Sequence, residues 1–161
     1  RWSQDEHVQI QLEHSRILED ILRKLNTCLK KLASLKSLSL ILCGNHLYFQ
    51  DLETLTKLIS RKNRLQRLSL NLNNNKLNDQ FLMSLMSQIL TRKTLEMLSL
   101  SLSFNPVTER GVGKLVIHLE ELKERLQNIF LNLQKMECDN IAYFRRLFSQ
   151  FEENKKIKIL Y

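Results

Sequence analysis

Three short stretches hold residue types that could do chemistry. Cys43-Gly44-Asn45-His46 sets a thiol and an imidazole at a zinc-ligand spacing. A zinc site needs four ligands, usually as two such pairs, and no second pair follows at a useful distance. Gly111-Val112-Gly113-Lys114 has two glycines and the lysine of a phosphate-cradling loop. It lacks the first glycine, lacks Ser or Thr after the lysine, and falls inside a helical pattern rather than after a strand. His118-Leu119-Glu120-Glu121-Leu122 is not His-Glu-x-x-His, the spacing a zinc protease needs. His7, His14, His46 and His118 scatter over turns and helices and define no Ser-His-Asp set. These residues predict no enzyme, no catalytic residue, no metal and no cofactor. What recurs instead is binding chemistry: an amide at a regular interval, and clusters of cations.

The elements that must position those groups follow from a repeat. Leu38-Ser39-Leu40-Ile41-Leu42 returns as Leu68-Ser69-Leu70-Asn71-Leu72 and as Leu98-Ser99-Leu100-Ser101-Leu102, 30 residues apart each time. A fixed period of this size is the signature of a solenoid of stacked units. A fourth copy is Ile129, Leu131, Leu133. Weaker terminal copies are Val8, Ile10, Leu12 and Ile157, Ile159, Tyr161. Each alternates apolar and polar residues, the period of a strand with one buried face.

Three residues past each central strand stands Asn45, Asn75 or Asn105. An amide side chain both donates and accepts, so stacked copies predict a ladder that satisfies loop backbone groups of two repeats. Met136 and Ser15 replace it in the fourth and first copies, so the ladder is expected only in the middle. A helix follows each turn, with inward stripes Leu52, Leu55, Ile59; Leu82, Leu85, Ile89; and Val112, Leu115, Leu119. Leu22, Leu25, Leu29 fit the first unit, and Ile141, Phe144, Phe148 fit the last. Helix starts are signalled by Asn78 or Asp79 and by Thr108 with Glu109.

The run Leu65-Gln66-Arg67-Leu68-Ser69-Leu70-Asn71-Leu72-Asn73-Asn74-Asn75-Lys76-Leu77 resembles a leucine-rich repeat, L-x-x-L-x-L-x-L-x-x-N-x-L. The long unit with a full helix resembles the ribonuclease-inhibitor class, and the extra dipeptide in the strand resembles repeats common in protist proteins. The resemblance implies an α/β solenoid, a horseshoe with about six parallel strands on the concave face and about five helices on the convex face. It also implies protein binding through the concave face. One domain is expected over 1–161, with repeats at about 7–34, 35–64, 65–94, 95–125 and 126–154 and a partial unit at 155–161. Both terminal strands would be sheet edges, so a longer array, or ends covered by neighbours in a hetero-complex, is expected.

Two surfaces remain for function. The residues between the core leucines face away from the core: Ser37, Ser39, Ile41, Arg67, Ser69, Asn71, Met97, Ser99, Ser101, Asn128, Phe130, Asn132, Lys156 and Lys158. Phe130 and Ile41 are the expected anchors for a protein partner. The second surface is a ridge of cations where each helix ends: Lys30, Lys31, Arg61, Lys62, Arg64, Arg92, Lys93, Lys123, Arg125, Lys155 and Lys156. Asp51, Glu53, Asp79, Glu109, Glu137 and Asp139 gather near helix starts. Charges so placed complement helix dipoles, yet the net charge of +8 exceeds what that requires. The expected function is a non-catalytic scaffold that binds protein through the concave face. The alternative is an accessory RNA-binding subunit of a ribonucleoprotein gripping phosphates with the basic ridge. A minor alternative, by likeness to the repeats of Ran GTPase activators, is a GTPase-activator-like regulator. No apolar run approaches the roughly 20 residues of a membrane span. The three cysteines, Cys28, Cys43 and Cys138, form no disulfide framework, which points to an intracellular, reducing compartment.

Overall fold

The computed structural model describes residues 6–14, 19–136 and 141–161. Ser15, Glu137, Cys138 and Asp139 therefore lie outside the described residues. Strands and helices alternate: β1 (His7–Gln11), α1 (Glu19–Lys31), β2 (Ser37–Ile41), α2 (Phe49–Ile59), β3 (Arg67–Asn71), α3 (Asp79–Leu90), β4 (Met97–Ser101), α4 (Glu109–Lys123), β5 (Asn128–Asn132), α5 (Ile141–Phe148) and β6 (Ile157–Leu160). A short 3-10 turn, Ser149–Phe151, extends α5. The six strands form one parallel sheet in chain order, β1 to β6. Parallel neighbours need a crossover, and here each crossover is one helix.

The register repeats the sequence period. Leu38 lies beside Leu68 and Leu68 beside Leu98, and the row Leu40, Leu70, Leu100 behaves alike. From β4 to β5 the step lengthens by one residue, Leu98 meeting Ile129. The longer α4 and its following turn absorb the extra residue, so the strand rows stay aligned. These apolar rows are the core: Leu38, Leu40, Leu42, Leu68, Leu70, Leu72, Leu98, Leu100 and Leu102 are all at most 2% exposed. The helix stripes cover them, with Leu52, Ile59, Leu82, Leu85, Ile89, Val112, Leu115, Leu119, Phe144 and Phe148 buried. The other face of the sheet is left open.

The turns after the strands share one backbone. His14, Gly44, Asn74, Phe104 and Lys135 all adopt positive φ. Their N–H groups reach the next repeat: His14 donates to the Cys43 carbonyl, Gly44 to Asn73, Asn74 to Ser103 and Phe104 to Lys135. At Gly44 a Cβ would also overlap the His14 imidazole, so glycine serves both the left-handed φ and the close approach.

Inside these turns the asparagines join successive units. Asn75 Oδ1 accepts from the backbone N–H of Asn45 (3.1 Å) and Leu47 (3.0 Å). Asn75 Nδ2 donates to the carbonyls of Leu42 (3.0 Å) and Leu72 (2.9 Å). Asn105 repeats the pattern on Leu77 N–H and the Leu72 and Leu102 carbonyls, and Asn45 donates to Leu12 and Cys43. All three are buried. Buried backbone groups that lose their partner cost about 1–3 kcal/mol each. Asn75→Ala orphans the N–H groups of Asn45 and Leu47 and the Leu42 carbonyl at once, while the Leu72 carbonyl keeps Asn105. It is expected to lower unfolding stability by about 3 kcal/mol or more, read as a fall in the urea midpoint, while Ser69→Ala on the open face changes it by under about 0.5 kcal/mol.

Candidate partner-binding face

The open side of the sheet carries three rows, set by strand register. The middle row runs Gln9, Ser39, Ser69, Ser99, Phe130, Lys158; the row above it Gln11, Ile41, Asn71, Ser101, Asn132, Leu160; the row below it His7, Ser37, Arg67, Met97, Asn128. Arg67, Met97 and Asn128 are exposed; Ser39, Ile41, Ser69, Asn71, Ser99, Ser101, Phe130 and Asn132 are half-buried by their strand neighbours. Four apolar side chains interrupt the small polar field, Ile41, Met97 and Phe130 within it and Leu160 at its edge. Met97 is 38% exposed. Ile41 stands at the upper rim near Asn71. Phe130 lies between Ser99 and Lys158, with the Lys158 ammonium 6.0 Å from its ring centroid, within the range of a cation–π contact.

Part of this surface is already engaged. Asn73 Oδ1 accepts from Ser101 Oγ (2.8 Å) and from Ser103 N–H (2.8 Å). Asn132 Oδ1 accepts from Ser103 Oγ (2.8 Å), and Asn71 Oδ1 accepts from Asn73 N–H (3.3 Å). Asn71, Ser101 and Asn132 thus brace the upper rim as well as facing solvent. Arg67 spans Ser37 to place Nη2 3.2 Å from His7 Nδ1.

The basic ridge needs correcting. Lys62 is buried, 6% exposed, and its ammonium donates to the α1 carbonyls of Leu29 (2.5 Å) and Lys30 (3.4 Å) and to Leu32 just beyond (2.9 Å). Arg125 is half-buried, and its guanidinium donates to Leu90 (2.9 Å) and Ile89 (3.1 Å) at the end of α3. The last carbonyls of a helix have no partner within it. These two cations, each from the end of the next unit, supply one. Burial pushes the Lys62 ammonium and the Arg125 guanidinium below their ordinary values. Lys123 pairs with Glu120 on its own helix, and Arg92 donates to Asn63 Oδ1 (3.1 Å). Lys30, Lys31, Arg61, Arg64, Lys93, Lys155 and Lys156 are exposed. Lys30, Arg61 and Arg64 line a cleft of about 440 Å³ with Lys62 at its floor.

Side chains at the start of α3 are likewise in use. Asn78 caps α3, its Oδ1 accepting from Phe81 N–H (3.2 Å). Thr108 precedes α4 without a side-chain cap of its own. Its N–H (2.8 Å) and hydroxyl (2.7 Å) both donate to the Asp79 carboxylate of the preceding unit. This accounts for the glycine pair that mimics a phosphate loop. A Cβ at Gly111 would overlap the Asp79 carboxylate, and one at Gly113 would crowd the Tyr143 hydroxyl. Cys43 and His46 share a turn, and burial raises the Cys43 thiol pKa. Among the described residues no three His, Cys, Asp or Glu side chains gather as metal ligands.

Two residues that the repeat pattern alone does not single out stand on the upper rim. Phe104 is 59% exposed and Tyr48 56%. Phe104 occupies the left-handed position where neighbouring units place Gly44 and Asn74. A non-glycine residue there costs about 1–2 kcal/mol. The signal in the sequence is a large apolar residue directly before a ladder asparagine.

Among the described residues, six parallel strands alternating with five helices, buried leucine rows and an asparagine turn define a leucine-rich-repeat-like solenoid. A solved structure titled leiomodin-1 actin-binding site 2, a leucine-rich-repeat domain, is similar, at TM-score 0.56 and 16% sequence identity over 90% of this chain and 77% of that one. No family model matches the sequence, and no curated protein matches it. No helix among the described residues is long and apolar enough to cross a membrane.

Lys62→Met tests the internal role of that cation. It is expected to cost about 1–3 kcal/mol of stability by orphaning carbonyls, without weakening any polyanion binding. Because burial lowers the folded-state pKa, the unfolded chain holds the Lys62 proton more tightly. Stability in the wild type should then rise with pH between that lowered value and the ordinary 10.5, and this slope should vanish in Lys62→Met. Both are read from urea titrations at several pH values.

Proposed function

We propose that this chain is a non-catalytic scaffold that binds a protein partner through the open face of its sheet, as a subunit of a larger assembly in a reducing intracellular compartment. The observation that carries this reading is the open face itself. Rigid strands present Ile41, Met97 and Phe130 among small side chains, which lets a partner backbone approach closely while three apolar anchors are buried. Interfaces draw most of their energy from a few such anchors. Exposed Phe104 and Tyr48 extend the surface over the upper rim. The leucine-rich-repeat form, with the ribonuclease-inhibitor-like and protist-like features of its repeat, supports the same reading. The leiomodin segment is titled as an actin-binding site; at 16% identity the likeness carries the fold, and the partner must be argued from residues of this chain. Free thiols at Cys28 and Cys43 agree with a reducing compartment.

A second reading, an RNA grip by the exposed part of the basic ridge, has the cleft lined by Lys30, Arg61 and Arg64 in its favour. It requires affinity that falls steeply with salt.

Affinity purification of the chain with and without nuclease separates the two. A defined protein set retained after nuclease is expected. Phe130→Arg, Ser99→Arg and Asn71→Arg should each release it while helicity is unchanged; retention by all three would rule out the open face. Phe104→Asn is expected to raise stability by about 1 kcal/mol, because asparagine tolerates the left-handed φ, and to weaken partner binding. Loss of all bound proteins with nuclease would make the basic cleft the functional surface.

A further inference from the structure

We infer, on the reading of this chain as a protein-binding scaffold, that the cleft where α1 and α2 end receives an acidic segment of a protein partner, a stretch with several Asp or Glu carboxylates. Charge is uneven along the lower rim, where helices end and strands begin. Over residues 30–36 and 60–67 every charged side chain is a cation. At the boundaries that follow, Glu96, Glu124, Glu152 and Glu153 stand among the cations. Stacking sets the two all-cation stretches side by side: the Lys62 ammonium donates to the carbonyls of Leu29 and Leu32. With Lys62 drawn under the end of α1, its chain neighbours Arg61, Asn63 and Arg64 stay exposed and surround the cleft with Lys30. Arg92 donates to Asn63 Oδ1 (3.1 Å), so the Asn63 amide nitrogen is the group left to donate to a ligand. No acidic side chain lines the cleft among the described residues. Among those residues Lys30, Arg61 and Arg64 have no ion-pair partner either. Glu6 is held by Lys36 (2.9 Å), with Arg64 acting on it only at longer range.

The extent of this charge selects the occupant. An RNA strand needs a long run of free cations to follow its phosphates, and aromatic faces to stack its bases. Here the all-cation run stops after two units. Further along, Arg125 is engaged by carbonyls, Lys123 is paired with Glu120, and the exposed carboxylates of Glu124, Glu152 and Glu153 repel a phosphate chain. No aromatic side chain lines the cleft. A short carboxylate-bearing segment fits what is left. The two arginines offer planar forks that match carboxylates, and Lys30 adds a point charge. Each exposed pair is weak by itself, so the segment needs several carboxylates. Arg67, exposed in the lower row of the open face beside Ser37, carries the cation stretch onto the sheet. A partner seated on the open face thus reaches the cleft by passing its acidic segment over the rim.

Fluorescence anisotropy of a labelled deca-glutamate peptide titrated with the 161-residue chain tests this, with labelled decauridylate as a second probe of nearly equal charge. Saturable peptide binding, tighter than that of the RNA, is expected; no peptide binding, or tighter RNA binding, would overturn the inference. Arg61→Glu with Arg64→Glu should weaken the peptide at least about tenfold. Lys155→Glu with Lys156→Glu makes the same charge change at exposed sites far along the rim, and should alter affinity by less than about twofold because salt screens distant charges. Equal weakening by both pairs would mean a general field and no site. Inorganic phosphate that displaces the peptide at a lower concentration than succinate does would make this a phosphate site, and the carboxylate assignment would fall. Phe130→Arg leaves the cleft untouched, so peptide affinity should stay within about twofold; a large loss there would move the peptide to the open face and overturn the assignment. Failure of the open-face reading is seen separately, as partner retention by that variant in the affinity purification. Circular dichroism accompanies each variant. If the charge-reversed pair loses helicity, Arg61→Gln with Arg64→Gln decides, and no weakening by it would count against the cleft.

Discussion

Each repeat is held to the one before it by an amide that reaches backward. Asn75 takes two backbone donors and one backbone acceptor from the preceding unit while closing its own turn. That arrangement works only if every unit has the same length from strand to turn. The 30-residue step, the aligned leucine rows and the shared left-handed turn residues are consequences of it. Where the step lengthens, between β4 and β5, the extra residue is taken up on the helix side, where no such ladder constrains the chain.

The same economy governs the charges. Helix starts and helix ends both lie against the neighbouring unit, so a side chain from one unit can satisfy a backbone group or a turn in the unit before or after it. Asp79 holds Thr108, Lys62 closes α1 and Arg125 closes α3. Stacking is thereby reinforced along both rims of the sheet. What is left for other molecules is the open face, the aromatic side chains on the upper rim and the exposed cations near Arg61 and Arg64.

Much of this was legible in the sequence. The leucine rows announce strands because alternation has one physical meaning on a pleated sheet, and the three asparagines announce their turns because a buried amide needs several partners. The helix stripes were legible for the same reason, although the side chains of Leu55 and Ile141 lie outside the described set. Other features were not. Lys62 and Arg125 look like surface cations because nothing local says that a carbonyl some 30 residues away awaits them. Thr108 looks like a helix cap, and its hydroxyl instead crosses to Asp79. Asn71, Ser101 and Asn132 read as free contact residues, while Asn73 and Ser103 draw them into a network. Phe104 hides because its exposure depends on the backbone sign of φ, which residue type alone does not reveal.

The direct test of the ladder is native-state hydrogen exchange of individual amides. Leu47 and Leu77 sit outside any strand, and their N–H groups are bonded only to the side chains of Asn75 and Asn105. If those side chains hold the units together, both amides exchange as slowly as those of β3 and β4, and more slowly than those of β1. Fast exchange at Leu47 and Leu77 beside protected strands would show that the sheet stands without the ladder, and would contradict this account.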